Sequence, residues 1–410
     1  MTTSLSPWGA GPSPRYASLA ARFRPIFERI RAGNLDRELT RTLPHEPIQW
    51  LKAAGFTRLR LSEADGGDGA TIPELFALLI ELAEADSNIA QALRAHLSFV
   101  EDLLNSRLPE RRAVWIPRIA AGEIIGSAWT ETGAQLSAFS ASLLHDGEAW
   151  RLNGTKFYTT GSLYAEWISV GATDAEGQPI SAVVARTAEG VDVLDDWNGF
   201  GQRQTASGTA RFVDARVDDT AIVRESDHHR YWSAFLQQVQ LATLAGIGRA
   251  AAREAAQAVA RRERTYTHAA AARSSQDPQV LQIVGRVQGN AYAAGATVLK
   301  AAEAIQRAYE VRDAHDEASI EEVNLIAELE VAQAQTVVSN LVLDATTLLF
   351  DALGASATLT PAGFDRFWRN ARTLASHNPR IYKDRIVGDF AVNGTPPPYQ
   401  WRVGRAVAQG

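Results

Sequence analysis

The chain of 410 residues contains no cysteine. That single absence excludes disulfides, zinc–thiolate sites, iron–sulfur clusters and cysteine nucleophiles. It also lacks a basic run. Its 41 Lys and Arg are outnumbered by 47 Asp and Glu, for a formal net charge of -6, which argues against nucleic acid as a partner. No stretch approaches the roughly 20 consecutive apolar residues of a membrane span, so no membrane partner is expected. The first 14 residues are rich in Ser, Gly and Pro and lack the apolar core of a signal peptide, and the expected location is the cytoplasm. What remains is an ordinary globular composition, 46% hydrophobic and 21% charged, on a chain long enough for two or three structural units.

Beyond a flexible start over residues 1–14, three regimes follow one another. Over residues 15–122 apolar side chains recur three and four apart, as at Leu75, Leu78, Leu79 and Leu82, and predict helices. The glycine-rich residues 65–69 form a connector; no strand precedes them and no Gly-Lys-Ser/Thr follows, so they are not a phosphate loop. Over residues 123–228 the period changes. Short strands are expected near 149–152, 168–171, 181–185, 190–194 and 209–213, with Asn153-Gly154 and residues 174–177 as turns, which suggests a small barrel or sandwich. From 229 to 410 the chain is alanine-rich and helical, with long periodic stretches near 232–266, 279–312 and 319–353 that fit an antiparallel bundle. Asp277-Pro278 breaks the first from the second, and the tail after Asn378 is expected to lie irregularly on the surface. The fold class is α+β: a helical domain, a small β-barrel domain and a C-terminal four-helix bundle.

Four segments stand at the joints of this plan. They are Gly126-Ser127-Ala128-Trp129-Thr130-Glu131-Thr132-Gly133, then Leu152-Asn153-Gly154-Thr155-Lys156-Phe157-Tyr158-Thr159-Thr160-Gly161, then Gly201-Gln202-Arg203 with Thr205-Ala206-Ser207-Gly208-Thr209, and finally Arg369-Asn370-Ala371-Arg372. In order and position they resemble the Thr-Glu-Pro-Gly, Leu-Asn-Gly-x-Lys-x-x-Ile-Thr-Asn, Gly-x-Arg-x-Ser and Arg-Asp-Ala segments of the acyl-CoA dehydrogenase superfamily. The resemblance implies a homotetramer with flavin held between the β domain and the C-terminal helices. By match, Trp129, Thr130, Tyr158 and Thr160 would lie along the isoalloxazine, where aromatic rings cover a flat heterocycle and hydroxyls bond its polar edge. The alternative reading of Trp129 and Tyr158 is as core aromatics.

The same resemblance shows what is missing. Dehydrogenases of the superfamily need a carboxylate to take the proton α to a thioester carbonyl, usually nine residues after the Arg of Arg-Asp-Ala. Here that position is Asn378. The other known home, on the first long C-terminal helix, falls near Gln240. Neither amide serves as that base, so acyl-CoA dehydrogenation is not expected. Residues 371–379, with His377 beside Asn378, resemble instead the dibenzothiophene monooxygenase branch. That branch takes reduced FMN from an NAD(P)H-dependent flavin reductase, makes a C4a-(hydro)peroxyflavin with oxygen, and oxidises a sulfur, nitrogen or similar centre of a small substrate. His377 and His96 are the expected donors to the peroxide, against the readings of a helix cap for His377 and a satisfied core histidine for His96. Thr159 or Thr160 would place a hydroxyl near the flavin N5–C4a edge. Trp197 would wall the substrate side or simply pack its turn. His228-His229, with no third ligand at metal spacing, is expected as a solvated linker, and no metal site is expected.

FMN fits better than FAD. The Arg-x-x-Phe-Gly that holds the adenine half of FAD in the family is absent from residues 264–269, and its Gly-Gly-x-Gly is reduced to Gly354-Ala355-Ser356. Arg369 is the first candidate for the FMN phosphate, because its forked donors suit phosphate oxygens. Two other readings remain at this stage: an FAD-dependent acyl-CoA dehydrogenase-like or nitroalkane-oxidase-like enzyme with its base elsewhere, and a non-catalytic family member.

Overall fold

The computed structural model describes residues 6–131, 139–224 and 228–399. Thr132 and Gly133 of the first motif lie outside the described residues. Seven helices come first: α1 (Tyr16–Ala32), α2 (Asn34–Thr40), α3 (His45–Ala53), α4 (Ile72–Ala85), α5 (Ser87–Ala92), α6 (Arg94–Asn105) and α7 (Pro109–Ala120). α4 shows why the periodicity was legible. Thr71 and Glu74 close a reciprocal capping box at its start, and Leu75, Leu78, Leu79 and Leu82 are fully buried.

Eight strands follow: β1 (Ile125–Ala128), β2 (Ser142–His145), β3 (Trp150–Phe157), β4 (Trp167–Thr173), β5 (Pro179–Ala185), β6 (Val191–Val193), β7 (Thr209–Val217) and β8 (Ile222–Arg224). They form one sheet in the order β6-β7-β3-β2-β4-β5-β8, with β1 added parallel to β4. The expected small barrel is left open at one side, since no pairing joins the end strands β6 and β8 among the described residues. Asn153-Gly154 is a second correction. It is no turn; β3 runs straight through it with a register shift against β7 between Leu152 and Gly154. Gly154 has φ +144°, and a Cβ there would fall 2.6 Å from Ala141 Cα, so the bulge needs glycine. Asn153 Oδ1 accepts from the Asp214 N–H at 2.8 Å and steadies the partner strand.

The chain then returns to helices: α8 (Trp232–Arg261), α9 (Pro278–Glu310), α10 (Glu317–Leu353), α11 (Asp365–Ala375) and α12 (Lys383–Asn393). Asp277 caps α9 by accepting from the N–H groups of Gln279 and Val280, with Pro278 in its first turn. The tail after Asn378 is not irregular throughout, because α12 lies in it. α10 is long and apolar enough to cross a membrane, contrary to the sequence expectation. In this fold it packs against α8, α9 and α11 and buries Val331, Val338, Val342, Ala345 and Leu349.

Two hydrophobic cores result. One joins the N-terminal helices to α8–α11 through residues such as Phe76, Phe235, Val239 and Val298. The other lies beneath the sheet, where Phe99 and Leu103 of α6 and Trp115 of α7 meet Ile168, Val170 and Phe212. Helix α6 contributes to both, through Leu97 to the first and through Phe99 and Leu103 to the second.

Candidate active site

One part of the candidate site is built by the ends of β1 and β3. The Thr130 carbonyl accepts from the Phe157 N–H at 2.9 Å and holds the two ends together. β3 then leaves the sheet through Tyr158, whose φ of +65° places a bulky aromatic residue in the left-handed region. Its ring remains 45% exposed, packed edgewise on Phe157 at 4.8 Å and Trp197 at 5.8 Å. A strained backbone that holds an aromatic ring out of the core is the mark of a ligand surface. Three residues on, Gly161 has φ +83°, and a Cβ there would fall 2.2 Å from the Ala92 carbonyl oxygen, so the exit loop presses against the end of α5.

The threonines divide their work. Thr159 is buried and ties itself to Gly208, whose carbonyl accepts from both its N–H and its hydroxyl. Thr160 heads a hydroxyl chain: Thr160 Oγ1 lies 2.7 Å from Ser207 Oγ, which lies 2.7 Å from Thr205 Oγ1, which donates to the Gln202 carbonyl at 2.9 Å. Each hydroxyl has one proton, so Ser207 donates to Thr205 and Thr160 donates to Ser207. Thr160 therefore presents acceptor lone pairs. The 201–208 loop is anchored to the helices by the Gln202 N–H on Asn370 Oδ1 at 2.6 Å and the Gln204 N–H on Asn88 Oδ1 at 3.2 Å.

A second cluster comes from α8, the residues after α11 and the start of α6. Asn378 Nδ2 donates to Gln237 Oε1 at 2.5 Å and to Gln240 Oε1 at 3.3 Å. The two positions where a carboxylate base is expected in the family thus meet at one point in space, and amides fill both. With its Nδ2 donating, Asn378 offers Oδ1 as an acceptor, and His377 Nδ1 lies 2.9 Å from it. The His377 proton is therefore on Nδ1, leaving Nε2 with a lone pair. Protein surrounds His377 on most sides, yet it keeps exposed surface, as a group lining a cleft does. Enclosure and the nearby Arg94 charge take its pKa down to about 4. At neutral pH it is an acceptor, not the donor that the sequence suggested.

Other expected residues lie elsewhere. His96 is fully buried; its Nε2 bonds the Thr57 carbonyl at 2.6 Å and its Nδ1 accepts from the Ile125 N–H at 3.4 Å. Both ring nitrogens are spent on backbone, and burial lowers its pKa to about 4. It joins α6 to β1 and faces away from the cleft. Arg369 donates to Asp365 at 2.7 Å, to Glu38 at 2.9 Å and to the Phe200 carbonyl at 2.8 Å. Two carboxylates already hold its charge and would repel a phosphate, so it clamps α11 to α2 and the 201–208 loop. Trp129 stands at the sheet end of α8. Its indole N–H donates to Ser169 at 3.2 Å, and its ring lies 5.6 Å from Trp232 and 5.9 Å from His228. Trp197 packs its own turn, donating to the Gly201 carbonyl at 3.3 Å, and also meets Tyr158. Thr130 is exposed. His228 and His229 are no solvated linker: their Nδ1 atoms bond the two oxygens of the buried Asp102 at 2.8 and 2.9 Å. Sequence reasoning missed Gln237 and Arg94; the positions that face α8 on a helix whose neighbours are unknown carry no signal of their own.

Family models for the acyl-CoA dehydrogenase N-terminal domain and C-terminal domain match residues 20–123 and 239–379. The chain belongs to the acyl-CoA dehydrogenase superfamily. Within it, the chain is 29% identical over 367 residues to dibenzothiophene monooxygenase of Mycolicibacterium goodii, covering 85% of this chain and 87% of that protein. It is 27% identical over 355 residues to the probable FMNH2-dependent monooxygenase SfnC of Pseudomonas putida, covering 85% and 88%. The solved structure of TdsC from Paenibacillus sp. A11-2 with FMN and indole superposes with a TM-score of 0.86 at 27% identity, covering 95% of this chain and 99% of that one. As a superfamily member the chain departs from the dehydrogenases where it matters chemically, at Asn378 and Gln240.

The residues fit a flavin. The strained, outward Tyr158 ring offers a face for a flat heterocycle. Thr160 offers an acceptor, which suits the N5–H of a reduced flavin. The Gln240 Nε2 is buried without a partner beside the same cleft. Arg369 does not fit the phosphate, as its partners show.

Proposed function

We propose that the chain is the oxygenase component of a two-component monooxygenase. It takes reduced FMN from an NAD(P)H-dependent flavin reductase and uses O2 to oxygenate a small substrate at sulfur or nitrogen. The reading rests above all on the triple amide contact of Asn378, Gln237 and Gln240. A dehydrogenase needs a carboxylate at that point, and three neutral amides neither take a proton nor add charge beside reacting oxygen. The monooxygenases among its relatives support the same reading.

When bound, the reduced flavin supplies the two electrons that let one oxygen atom enter the substrate while the other leaves as water. Tyr158 would cover the ring and Thr160 would accept at its polar edge. His377 would accept a hydrogen bond at Nε2, its ring kept neutral by burial and by the Arg94 charge. The Phe157, Tyr158 and Trp197 rings exclude water from the sheet side. For assembly, a homotetramer is supported by apolar side chains left outside the bundle: Leu281, Tyr292, Val337, Ile381 and Val392 are each 46% exposed or more.

The test is anaerobic titration with reduced FMN followed by an oxygen pulse and product analysis. Binding of reduced FMN, and substrate oxidation that needs both reduced FMN and O2, are expected. Desaturation of an acyl-CoA under argon with an artificial electron acceptor, or no binding of reduced FMN, would sink the proposal.

A further inference from the structure

Arg94 opens α6 where that helix meets α8. Its Nε donates to the Leu236 carbonyl at 3.1 Å, and its two terminal nitrogens have no hydrogen-bond or carboxylate partner among the described residues. Arg60 is answered by Glu101 at 2.9 Å, Arg37 by Asp86 at 2.8 Å, Arg111 by Asp102 at 3.3 Å and Arg366 by Glu254 at 2.7 Å, while the buried Arg249 lies over the Trp8 ring with no ion pair among the described residues. The contrast with Arg60 is sharp. Glu101 lifts the pKa of the buried Arg60, whereas burial, with no carboxylate to oppose it, pulls that of the partly exposed Arg94 down to about 10.

The unanswered charge lies near His377 and the first turns of α8. Leu236, which holds Arg94, is followed by Gln237, which holds Asn378, and the Arg94 charge reaches His377 strongly enough to depress its pKa. One helical turn beyond Leu236, Gln240 is fully buried; its Oε1 accepts from Asn378, and its Nε2 has no partner. Two sets of unused donors therefore flank the same wall. A guanidinium enclosed without a counter-charge is costly, and a forked donor is completed best by a planar or tetrahedral oxyanion.

We infer that Arg94, assisted by the Gln240 amide, is an anion-holding subsite of the substrate cleft, and that the natural substrate is a small organic oxyanion, carrying a carboxylate, sulfinate or sulfonate, rather than a wholly apolar heterocycle. This rests on the monooxygenase reading and adds the substrate class to it. The cleft holds the anionic end at Arg94 and leaves the oxidisable atom toward His377. Phosphate from FMN is the same chemistry from another source, and the test separates the two.

The experiment measures equilibrium binding under argon, with the protein saturated by reduced FMN so that no turnover occurs. The probes are benzenesulfinate, benzoate and the neutral methyl phenyl sulfone. Wild type is expected to bind at least one of the two anions about tenfold or more tighter than the sulfone, and less tightly as salt is raised. Arg94→Gln should remove that preference, Arg94→Lys should retain part of it, and Gln240→Leu should weaken the anion by a smaller factor. Thermal midpoints guard against misfolding. Equal binding of anions and sulfone by wild type, or anion affinity unchanged in Arg94→Gln, overturns the inference. So does a variant that loses reduced FMN but keeps reduced riboflavin, because Arg94 would then serve the flavin phosphate. Wild type that binds no reduced FMN at all defeats the monooxygenase reading instead.

Discussion

Helix α8 carries two polar regions of opposite character. Around its start, charges are matched: Asp102 meets His228, His229 and Arg111, and Glu101 meets Arg60 and accepts from the Tyr231 hydroxyl at 2.8 Å. One to two turns further on stand Gln237, Gln240 and, from neighbouring elements, Asn378 and Arg94, with no carboxylate and one unanswered cation. Both regions are enclosed, so exposure does not distinguish them. Matching does. A buried charge that meets its counter-charge holds the elements around it together, while a charge with no carboxylate beside it is open to an incoming anion. The first region ties α6, α7 and α8 together; the second lines the cleft.

The largest effect expected from breaking the matched region is on stability. Asp102→Ala leaves Arg111 and two histidines around an empty centre and should cost about 3–5 kcal/mol, as when one member of a buried ion pair is removed. Burial alone would raise the Asp102 pKa, but the bonds from His228 and His229 outweigh it and hold the carboxyl far below its usual range. The unfolded chain, with the ordinary aspartate value of 3.8, then binds the proton more tightly than the folded one. The stabilisation is thus full above about pH 4 and is lost as acid is added below it. Denaturant titrations of wild type and variant from pH 7 down to pH 3 should show the gap closing only at the acid end. A gap under 1 kcal/mol at pH 7 would mean that the network is dispensable.

In the unmatched region the expected loss is of chemistry, not of fold. His377 keeps exposed surface, so His377→Ala should leave the thermal midpoint nearly unchanged. Product formed per reduced FMN consumed should fall on the order of tenfold to a thousandfold, with the missing electrons recovered as hydrogen peroxide. Because the ring is already neutral above about pH 5, the wild-type pH profile should show no inflection near 6.5. Wild-type coupling in the variant would remove His377 from the reaction.

The same contrast explains how far the sequence could be read. Helices with a capping signal and a clean apolar stripe, such as α4, were legible, and so was the missing base at Asn378 and Gln240. That these two positions touch was not, because they lie 138 residues apart and meet only through the packing of α8 against the end of α11. His96 attracted attention as a histidine, yet Arg94, two residues before it, is the one whose charge reaches His377. Two residues along a helix turn the side chain by about 200°, and nothing in the sequence says which face meets α8. Arg369 misled for a related reason: its partner Glu38 is 331 residues away, so an arginine that is already spent looked available. Asn153-Gly154 carried a turn signal that β7 and Ala141 overrode.

A third site on α8 sharpens the comparison by standing between the two. Glu328 is buried, its Oε1 accepts from the Ala234 N–H at 2.8 Å, and burial, opposed by that bond and by Lys383, lifts its pKa to about 8. Between the unfolded value of 4.5 and about 8, the unfolded chain releases a proton that the folded one keeps. Stability therefore falls as pH rises through that window. Glu328→Gln keeps the acceptor and removes the titration. It should match wild type at pH 5 and exceed it by about 1–3 kcal/mol at pH 8. Parallel stability curves over pH 5–8 would show that Lys383 matches this charge after all.

Arg369 gives the smallest effect and the cleanest check on the rule that matched charges are structural. By motif it was the phosphate ligand, and a lost charge-assisted hydrogen bond to phosphate would weaken reduced FMN by about 1.5–3 kcal/mol. Its guanidinium instead meets Glu38 and Asp365 and the Phe200 carbonyl, and Glu38 is almost fully buried. A dianionic phosphate brought to that point would face two carboxylates before it gained a donor. Arg369→Ala should lower the thermal midpoint by a few degrees, because Glu38 loses its cation and α11 its tie to the 201–208 loop. Reduced FMN affinity, measured anaerobically, should stay within about twofold, since the hydroxyl chain that ends at Thr160 is anchored separately through Gln202 and Asn370. A tenfold loss of affinity for reduced FMN, with reduced riboflavin unaffected, would restore Arg369 to the phosphate and show that matched charges at this cleft can still be borrowed by a ligand.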